Sequence, residues 1–111
     1  PMGFCYPGRG KGGDLPPRPE CAVMWRAELL SHLTNIELTI AIGRYAIDWY
    51  LKPKSSINLQ EIVADWKEYL PQFLPLPHPS PRNTIWLKKN PWVEAEIIPT
   101  LRSLVAKILG N

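Results

Sequence analysis

A histidine held between prolines is the side chain of this sequence best placed to do chemistry. It opens the run His78-Pro79-Ser80-Pro81-Arg82-Asn83, which adds a hydroxyl, a guanidinium and an amide. Proline fixes its own φ at about −65° and favours extended backbone for the residue before it. His78 and Ser80 each precede a proline, so we expect both to lie on a segment that is stiff before any ligand binds.

Basic residues also lie among glycines and prolines in the loop 6–19, at Arg9, Lys11 and Arg18. Glycine permits positive φ and close approach of the backbone, so such a loop can meet a phosphate. A flexible connection explains the same composition, because the loop has no fixed phosphate-binding pattern. Both interpretations stay open.

Cys5 and Cys21 are the two cysteines of the 111-residue chain. The start of the chain lacks a secretory signal, so we expect a cytoplasmic protein whose cysteines are reduced or bind metal, rather than a disulfide. No apolar run reaches the roughly 18 residues of a membrane span. A net charge of +3 and a pI near 9.0 permit an anionic partner such as nucleic acid without requiring one.

The apolar residues before His78 predict a short edge strand over Gln72–His78. Pro75 and Pro77 are two residues apart, so their missing N–H groups face the same side of an extended chain. Such a strand fits a sheet edge with its proline side outward. His78 then lies at the carboxyl end of the strand, where open α/β sheets bind their ligands.

Apolar patterns and caps predict the central elements. Ile36–Ile42 is rich in β-branched residues and predicts a buried strand of a parallel sheet, which ends at Gly43. A helix over Arg44–Tyr50 follows. Asn58 is expected to begin the next helix in a capping box, and Pro71 to end it.

The first and last helices are predicted from their starts and their apolar stripes. Pro19 and Glu20 begin the first helix. Asn90 is predicted to cap the last helix ahead of Pro91, and Pro99 to kink it by removing a backbone donor. The predicted buried stripes are Cys21, Trp25, Leu29 and Leu33 in the first helix, and Val93, Ile97, Leu101, Leu104, Val105 and Ile108 in the last.

The order of these elements predicts an α/β fold. A strand tail over Pro1–Cys5 is followed by helix, strand, helix, helix, edge strand and helix, which implies parallel strands with helical crossovers. The sheet looks incomplete and the chain begins with proline, so we expect one partial domain over residues 1–111, the C-terminal portion of a larger domain. The missing strands would come from an upstream segment, or from a second copy in a homo-oligomer.

Several motifs resemble the uracil-DNA glycosylase superfamily. The run His78–Asn83 after a short apolar strand is similar to the second signature motif of that superfamily, and Ile40–Ala46 is similar to the strand–glycine–helix unit that precedes it. Cys5 and Cys21, sixteen residues apart, resemble the paired cysteines of the iron–sulfur members. The segment Leu74–Trp92 looks like a bacterial, glycosylase-like branch related to those members.

The resemblance implies a three-layer α/β/α fold and a DNA repair enzyme that flips a damaged base, uracil or a related one, out of DNA and hydrolyses its N-glycosidic bond. His78 would stabilise the charge that develops on a base carbonyl oxygen as the base leaves. Ser80 would contact a phosphate, and Arg82 stands where many relatives carry a leucine wedge; arginine can enter the minor groove instead. The other implied DNA contacts are Pro79, Pro81, Asn83, Lys88 and Lys89, with a solvated pair as the alternative for the two lysines.

Three departures from the family pattern limit what this chain alone is expected to do. The first motif of the superfamily, which holds the water-activating residue, precedes Cys5 and is absent, so we expect no turnover by this chain alone. Pro1 stands where the iron–sulfur relatives carry an asparagine that reads the base. A four-iron, four-sulfur cluster needs four thiolates, so Cys5 and Cys21 would bind it only together with upstream cysteines, and no cofactor is expected in this chain itself.

Two other kinds of function stay open. One is a non-catalytic DNA-binding module that keeps the proline-rich phosphate contact. The other is a structural or interaction domain whose prolines only protect a sheet edge. Base excision, DNA binding without excision, and no DNA binding at low salt distinguish the three.

Overall fold

The computed structural model describes residues 2–54 and 56–110. The chain forms two compact units, one ending at Leu76 and the other beginning at Pro77. In the described residues no helix is long and apolar enough to cross a membrane. The single domain expected over residues 1–111 stays a prediction.

Short strands and helices alternate along the chain, which confirms the predicted α/β class. The first unit contains β1 (Arg9–Gly10), β2 (Gly13–Asp14), α1 (Pro19–Cys21), α2 (Ala27–Ser31), β3 (Thr39–Ile42), α3 (Arg44–Leu51), α4 (Leu59–Ala64) and β4 (Phe73–Leu76). The second contains α5 (Thr84–Lys89) and α6 (Ile98–Ile108). Turns of π-helix span Ala22–Arg26 and Val93–Ile97, and turns of 3₁₀-helix span Trp66–Tyr69 and Pro81–Asn83.

The central sheet of the first unit pairs β3 with β4 in parallel, as predicted. The register runs from Thr39 opposite Phe73 to Ile42 opposite Leu76. The edge strand is therefore shorter than the predicted Gln72–His78. Its pairing stops because β3 ends at Gly43, so no partner backbone continues beside the residues after Leu76.

The backbone nitrogen of Pro75, the proline of β4, faces away from β3, as the sequence predicts. Thr39 donates its backbone N–H to the carbonyl of Gln72, and Gly43 donates to the carbonyl of Leu76, each at 2.9 Å. Alternate residues of a strand direct their backbone groups to opposite sides. Pro75 lies between these two positions in the alternation, so its missing N–H removes no hydrogen bond to β3.

β3 is buried on one face only, and the prediction of a fully buried strand is wrong. Ala41 is completely buried in a cluster with Ile47 of α3 and Ile62 of α4. Ile40 and Ile42 point to the opposite face and are 37% and 44% exposed. Successive side chains of a strand alternate between faces, and α3 and α4 of the first unit pack on the face of Ala41.

The cap predicted for α4 is confirmed. The Asn58 side-chain oxygen accepts the backbone N–H of Glu61 at 2.8 Å, and the Asn58 amide contacts the Glu61 carboxylate at 3.3 Å. The α-helix ends earlier than predicted, at Ala64, and a 3₁₀ turn containing the buried Trp66 continues the chain toward Pro71.

The buried stripe predicted for the first helix is wrong. The inward residues are Ala22 and Arg26 in the π-helical turn, whereas Trp25 is 52% exposed and Leu29 is exposed as well. The inward face includes a charged residue, which an apolar pattern assigns to solvent. The Arg26 guanidinium lies 5.4 Å from the Tyr50 ring centroid, so cation–π attraction and packing of its alkyl stem replace the expected apolar contact.

The N-terminal part of the chain differs from its prediction in two ways. Met2–Cys5 forms no strand, and Pro1 lies outside the described residues. Within the loop 6–19, β1 and β2 pair in an antiparallel hairpin around Lys11 and Gly12, with Arg9 opposite Asp14. The loop is therefore a folded hairpin rather than a purely flexible connection.

The second unit contains α5, which no sequence pattern assigned, and a last helix that starts differently from its prediction. The Asn90 amide donates to the Trp86 carbonyl at 2.8 Å, and its oxygen accepts the Trp92 indole N–H at 3.1 Å. Asn90 therefore links the end of α5 to Trp92 instead of capping the last helix, and the two indole rings meet edge to face.

A π-helical turn, in which Ile98 donates to the carbonyl of Val93, lies immediately before α6. The kink predicted at Pro99 stays a prediction. The apolar stripe of the last helix is buried only at its start. Val93 and Ile97 are buried, whereas Val105 and Ile108 are each 37% exposed, contrary to the prediction.

Candidate functional site

The end of β4, which leads to His78, is fixed by a glycine. Gly43 has φ 84° and ψ 168°, a region that is essentially accessible to glycine only. Its N–H holds the Leu76 carbonyl at 2.9 Å, and its carbonyl accepts the N–H of Ile47 in the first turn of α3 at 3.1 Å. One residue therefore ends β3, begins α3 and holds the backbone two residues before His78.

The candidate loop, residues 77–83, is organised around the backbone carbonyl of His78. This oxygen accepts the backbone N–H of Ser80 at 2.8 Å and also the side-chain amide of Asn83. Two donors on one carbonyl close the loop, while the His78 side chain is exposed. The backbone is thus fixed and the imidazole is presented to solvent.

Ser80 begins the 3₁₀ turn Pro81–Asn83. Its hydroxyl oxygen accepts the backbone N–H of Arg82 at 3.3 Å, and its carbonyl accepts the backbone N–H of Asn83 at 2.9 Å. The backbone N–H of Ser80 is already used by the His78 carbonyl. The hydroxyl hydrogen is therefore the donor that Ser80 can offer to a ligand, because a hydroxyl can accept and donate at once.

The other predicted contact residues divide between the loop and α5. Pro79, Pro81 and Arg82 are exposed in the loop, and Asn83 is half-buried. The last turn of α5 carries the exposed Lys88 and Lys89. With about 1.5 Å of rise per residue, these lysines lie roughly 8 Å along the helix from Asn83. Lysine at a helix C-terminus is also favoured by the helix dipole, which accounts for both residues without a ligand.

The two cysteines lie apart from this loop in the chain order. Cys5 is exposed and Cys21 is half-buried, and both are free thiols. A four-iron cluster needs four thiolates, and this chain has two cysteines. Residues 2–54 and 56–110 contain no group of three or more His, Cys, Asp or Glu side chains that could hold a metal ion. The residues of this chain do not by themselves fit such a cluster, and the ligand role of both cysteines stays a prediction.

Ion pairing and hydrogen bonding set the electrostatics near these cysteines. Arg18 donates from Nε to the Glu20 carboxylate at 2.8 Å, and this hydrogen bond and the carboxylate charge raise the pKa of Arg18. The pKa of Glu20 is lowered by its own backbone N–H and then by Arg18. Arg18 therefore pairs with a carboxylate of its own chain, which does not favour it as the phosphate contact of the loop 6–19.

Two residues shape the loop in ways that the sequence did not predict. Asn83 was predicted to contact DNA, and in the structure its amide closes the loop on the His78 carbonyl. Gly43 was predicted only to turn β3 into α3, and it also ties down the end of β4. A signal for Asn83 existed, because Ser80 followed by proline is typical of a short N-capped turn that ends within three residues.

Parallel strands joined through helices define an α/β protein. A family model described as the uracil DNA glycosylase superfamily matches residues 3–102, which is most of the chain. The chain belongs to the uracil DNA glycosylase superfamily. DNA repair and glycosylase-type hydrolysis are the activities of this class.

Proposed function

We propose that this chain provides the leaving-base side of a DNA glycosylase site, in which His78 contacts the base that is excised. The supporting observation is the loop geometry: the His78 backbone is fixed through its carbonyl and its imidazole is exposed. A fixed donor loses little freedom when it meets a ligand, and a preorganised donor stabilises a developing anion well in a site from which water is excluded.

In the proposed reaction, the bond between the sugar C1′ and the base nitrogen breaks, and the base takes both electrons. Negative charge appears on a base carbonyl oxygen, to which the His78 imidazole donates a hydrogen bond. A water oxygen bonds to C1′, and its proton goes to the base, directly or through solvent. The family resemblance assigns activation of this water to a first motif ahead of Cys5, so the proposal is tested on a protein that includes such a segment.

The DNA contacts of the proposal follow from the loop and from α5. The Ser80 hydroxyl donates to a phosphate, and Arg82 enters the minor groove where the flipped nucleotide has left. Lys88 and Lys89 neutralise further phosphates along the same strand. Pro79 and Pro81 keep the backbone extended around Ser80, and Asn83 acts as a positioning residue through the His78 carbonyl.

Single-turnover assays of the full-length protein test the proposal. Duplexes with one uracil, hypoxanthine or xanthine are incubated with excess protein, and abasic sites are revealed by alkaline cleavage. His78→Ala should lower the excision rate by about 10²- to 10³-fold, the usual effect of removing one donor to a developing oxyanion, with unchanged DNA affinity. His32→Ala is the matched control, because His32 is exposed at the end of α2.

No cleavage of any of the three substrates by the wild-type protein would contradict the glycosylase proposal. A non-catalytic DNA-binding module is the second candidate, favoured by the exposed Lys88 and Lys89, which can meet phosphates whether or not a base is excised. Equal retention of damaged and undamaged DNA without cleavage would support it. A protein that binds no DNA at low salt would instead be a structural or interaction domain.

A further inference from the structure

The hairpin of residues 6–15, which we call the basic hairpin, is a folded projection of the first unit. Its base is closed by a hydrogen bond from the Leu15 N–H to the Gly8 carbonyl at 2.8 Å. The Leu15 side chain lies against the hairpin backbone so closely that a Cβ on Gly10 would be 3.0 Å from Leu15 Cδ2. A Cβ at position 10 would therefore require the end of the Leu15 side chain to shift by a few tenths of an ångström.

The basic hairpin presents two cations whose charge is not neutralised nearby. Arg9 and Lys11 are exposed, and neither forms an ion pair with any residue in the ranges 2–54 and 56–110. The only carboxylate of the hairpin, Asp14, accepts the Tyr6 hydroxyl at 2.9 Å. That hydrogen bond raises the pKa of Tyr6, so the phenol stays neutral and adds no negative charge. The hairpin therefore carries net positive charge near its tip.

The base of the basic hairpin lies near the carboxyl end of β3. Pro7 and Leu15, at its base, line a cavity of about 640 Å³ together with Tyr45 and Trp49 of α3. Tyr45 is in the first turn of α3, directly after β3 ends at Gly43. Because β3 and β4 are parallel, the carboxyl end of β4 lies at the same end of the sheet, and His78 follows it in the chain.

We propose that the basic hairpin is a second DNA contact, in which Arg9 and Lys11 each neutralise a phosphate of the backbone. The inference rests on the proposed DNA-directed function and adds a site outside the candidate loop. A hairpin with a two-residue tip and little side-chain bulk can approach a phosphate closely, and its cations act without regard to base sequence. The hairpin therefore adds affinity and salt dependence and does not select the damaged base.

Salt-dependent binding by the full-length protein tests the inference. Fluorescence anisotropy with a labelled undamaged duplex gives the slope of log K against log salt concentration. Each neutralised phosphate contributes about 0.9 to the magnitude of that slope for B-DNA, so Arg9→Gln/Lys11→Gln should reduce it by about 1.8. Arg9→Lys/Lys11→Arg keeps both charges and should retain the wild-type slope.

The matched control also removes two positive charges, but from residues at the opposite end of the sheet, near the amino ends of its strands. Lys54 follows the end of α3 and Lys67 precedes β4, and both are exposed. Lys54→Gln/Lys67→Gln should therefore leave the slope unchanged. Circular dichroism of each variant verifies that the fold is retained.

The outcomes separate this inference from the proposed function. If the hairpin variant keeps the wild-type slope while His78→Ala loses excision, the hairpin inference is overturned and the glycosylase proposal stands. A reduced slope in a protein that excises no base supports the hairpin and contradicts the glycosylase. An equal reduction in the hairpin variant and in the lysine control reflects net charge alone and overturns the inference, as does a wild-type protein that binds no DNA.

Discussion

Replacing Gly43 by alanine tests whether one glycine holds the end of β4 in place. Alanine at φ 84° and ψ 168° is strained, and it can relax only by rotating the peptide that donates to Leu76. A residue held in a sparsely populated backbone region costs about 1–3 kcal/mol, and the loss of one backbone hydrogen bond costs about 1 kcal/mol. Gly43→Ala should therefore lower the free energy of unfolding by roughly 2–4 kcal/mol.

The effect should extend from stability to function. Leu76 is two residues before His78, so release of its carbonyl loosens the approach to the candidate loop. A misplacement of about 1 Å is enough to lower a rate on the order of 100-fold. We therefore expect slower base excision by Gly43→Ala even at temperatures where the protein stays folded, with a smaller change in DNA affinity.

Urea unfolding followed by tryptophan fluorescence measures the stability, and single-turnover excision measures the function. Gly12→Ala is the matched control, because a Cβ there meets no atom within 4 Å and its φ lies outside the strained positive range. The control should change the free energy of unfolding by no more than about 0.5 kcal/mol. If Gly43→Ala were as stable as Gly12→Ala, the strain argument would be refuted; normal excision by a destabilised Gly43→Ala would refute the link to His78.

Three further substitutions test separate contacts. Asn83→Ala removes a donor from the His78 carbonyl and should slow excision while changing DNA affinity little; an equal loss of both in the same assays would assign Asn83 to DNA contact instead. Arg26→Met should be at least as stable as wild type in urea, because the buried Arg26 Nε has no hydrogen-bond partner in the described residues and replacing a buried charge by an apolar side chain is often stabilising. Destabilisation by Arg26→Met would show that its contact with Tyr50 outweighs the desolvation. Asn58→Ala should cost about 1 kcal/mol of unfolding free energy by removing the cap of α4, with unchanged DNA binding, and a neutral result would mean that the cap adds nothing.

Local chemistry explains the parts of the fold that were predictable from sequence. A cap needs only an asparagine and the following helix turn, and the Asn58 cap is present. Gly43 and Pro75 have their structural effects through their own backbones, so the turn after β3 and the outward side of β4 followed directly from residue type. The location of the candidate loop after an edge strand was predictable for the same reason.

Burial could not be predicted in the same way, because it depends on what covers each face. Ile40 and Ile42 have the composition of a buried strand but are exposed, because α3 and α4 pack on the Ala41 side. In the first helix the inward position belongs to Arg26, and the exposed Trp25 fits the apolar pattern better than the residue that is buried. Within the loop, Asn83 reaches back five residues to His78, a contact created by the turn itself and invisible in the spacing of apolar residues.

The proline of the edge strand also limits how the sheet can grow. A further strand beside β4 would need N–H groups from the residues that face away from β3, and Pro75, one of those residues, has none. β3 carries no proline, and in the described residues it pairs with β4 alone. The sheet can therefore be extended on one side only. A further strand, from the same polypeptide or from another copy, would pair with β3, and β4 would remain the outermost strand.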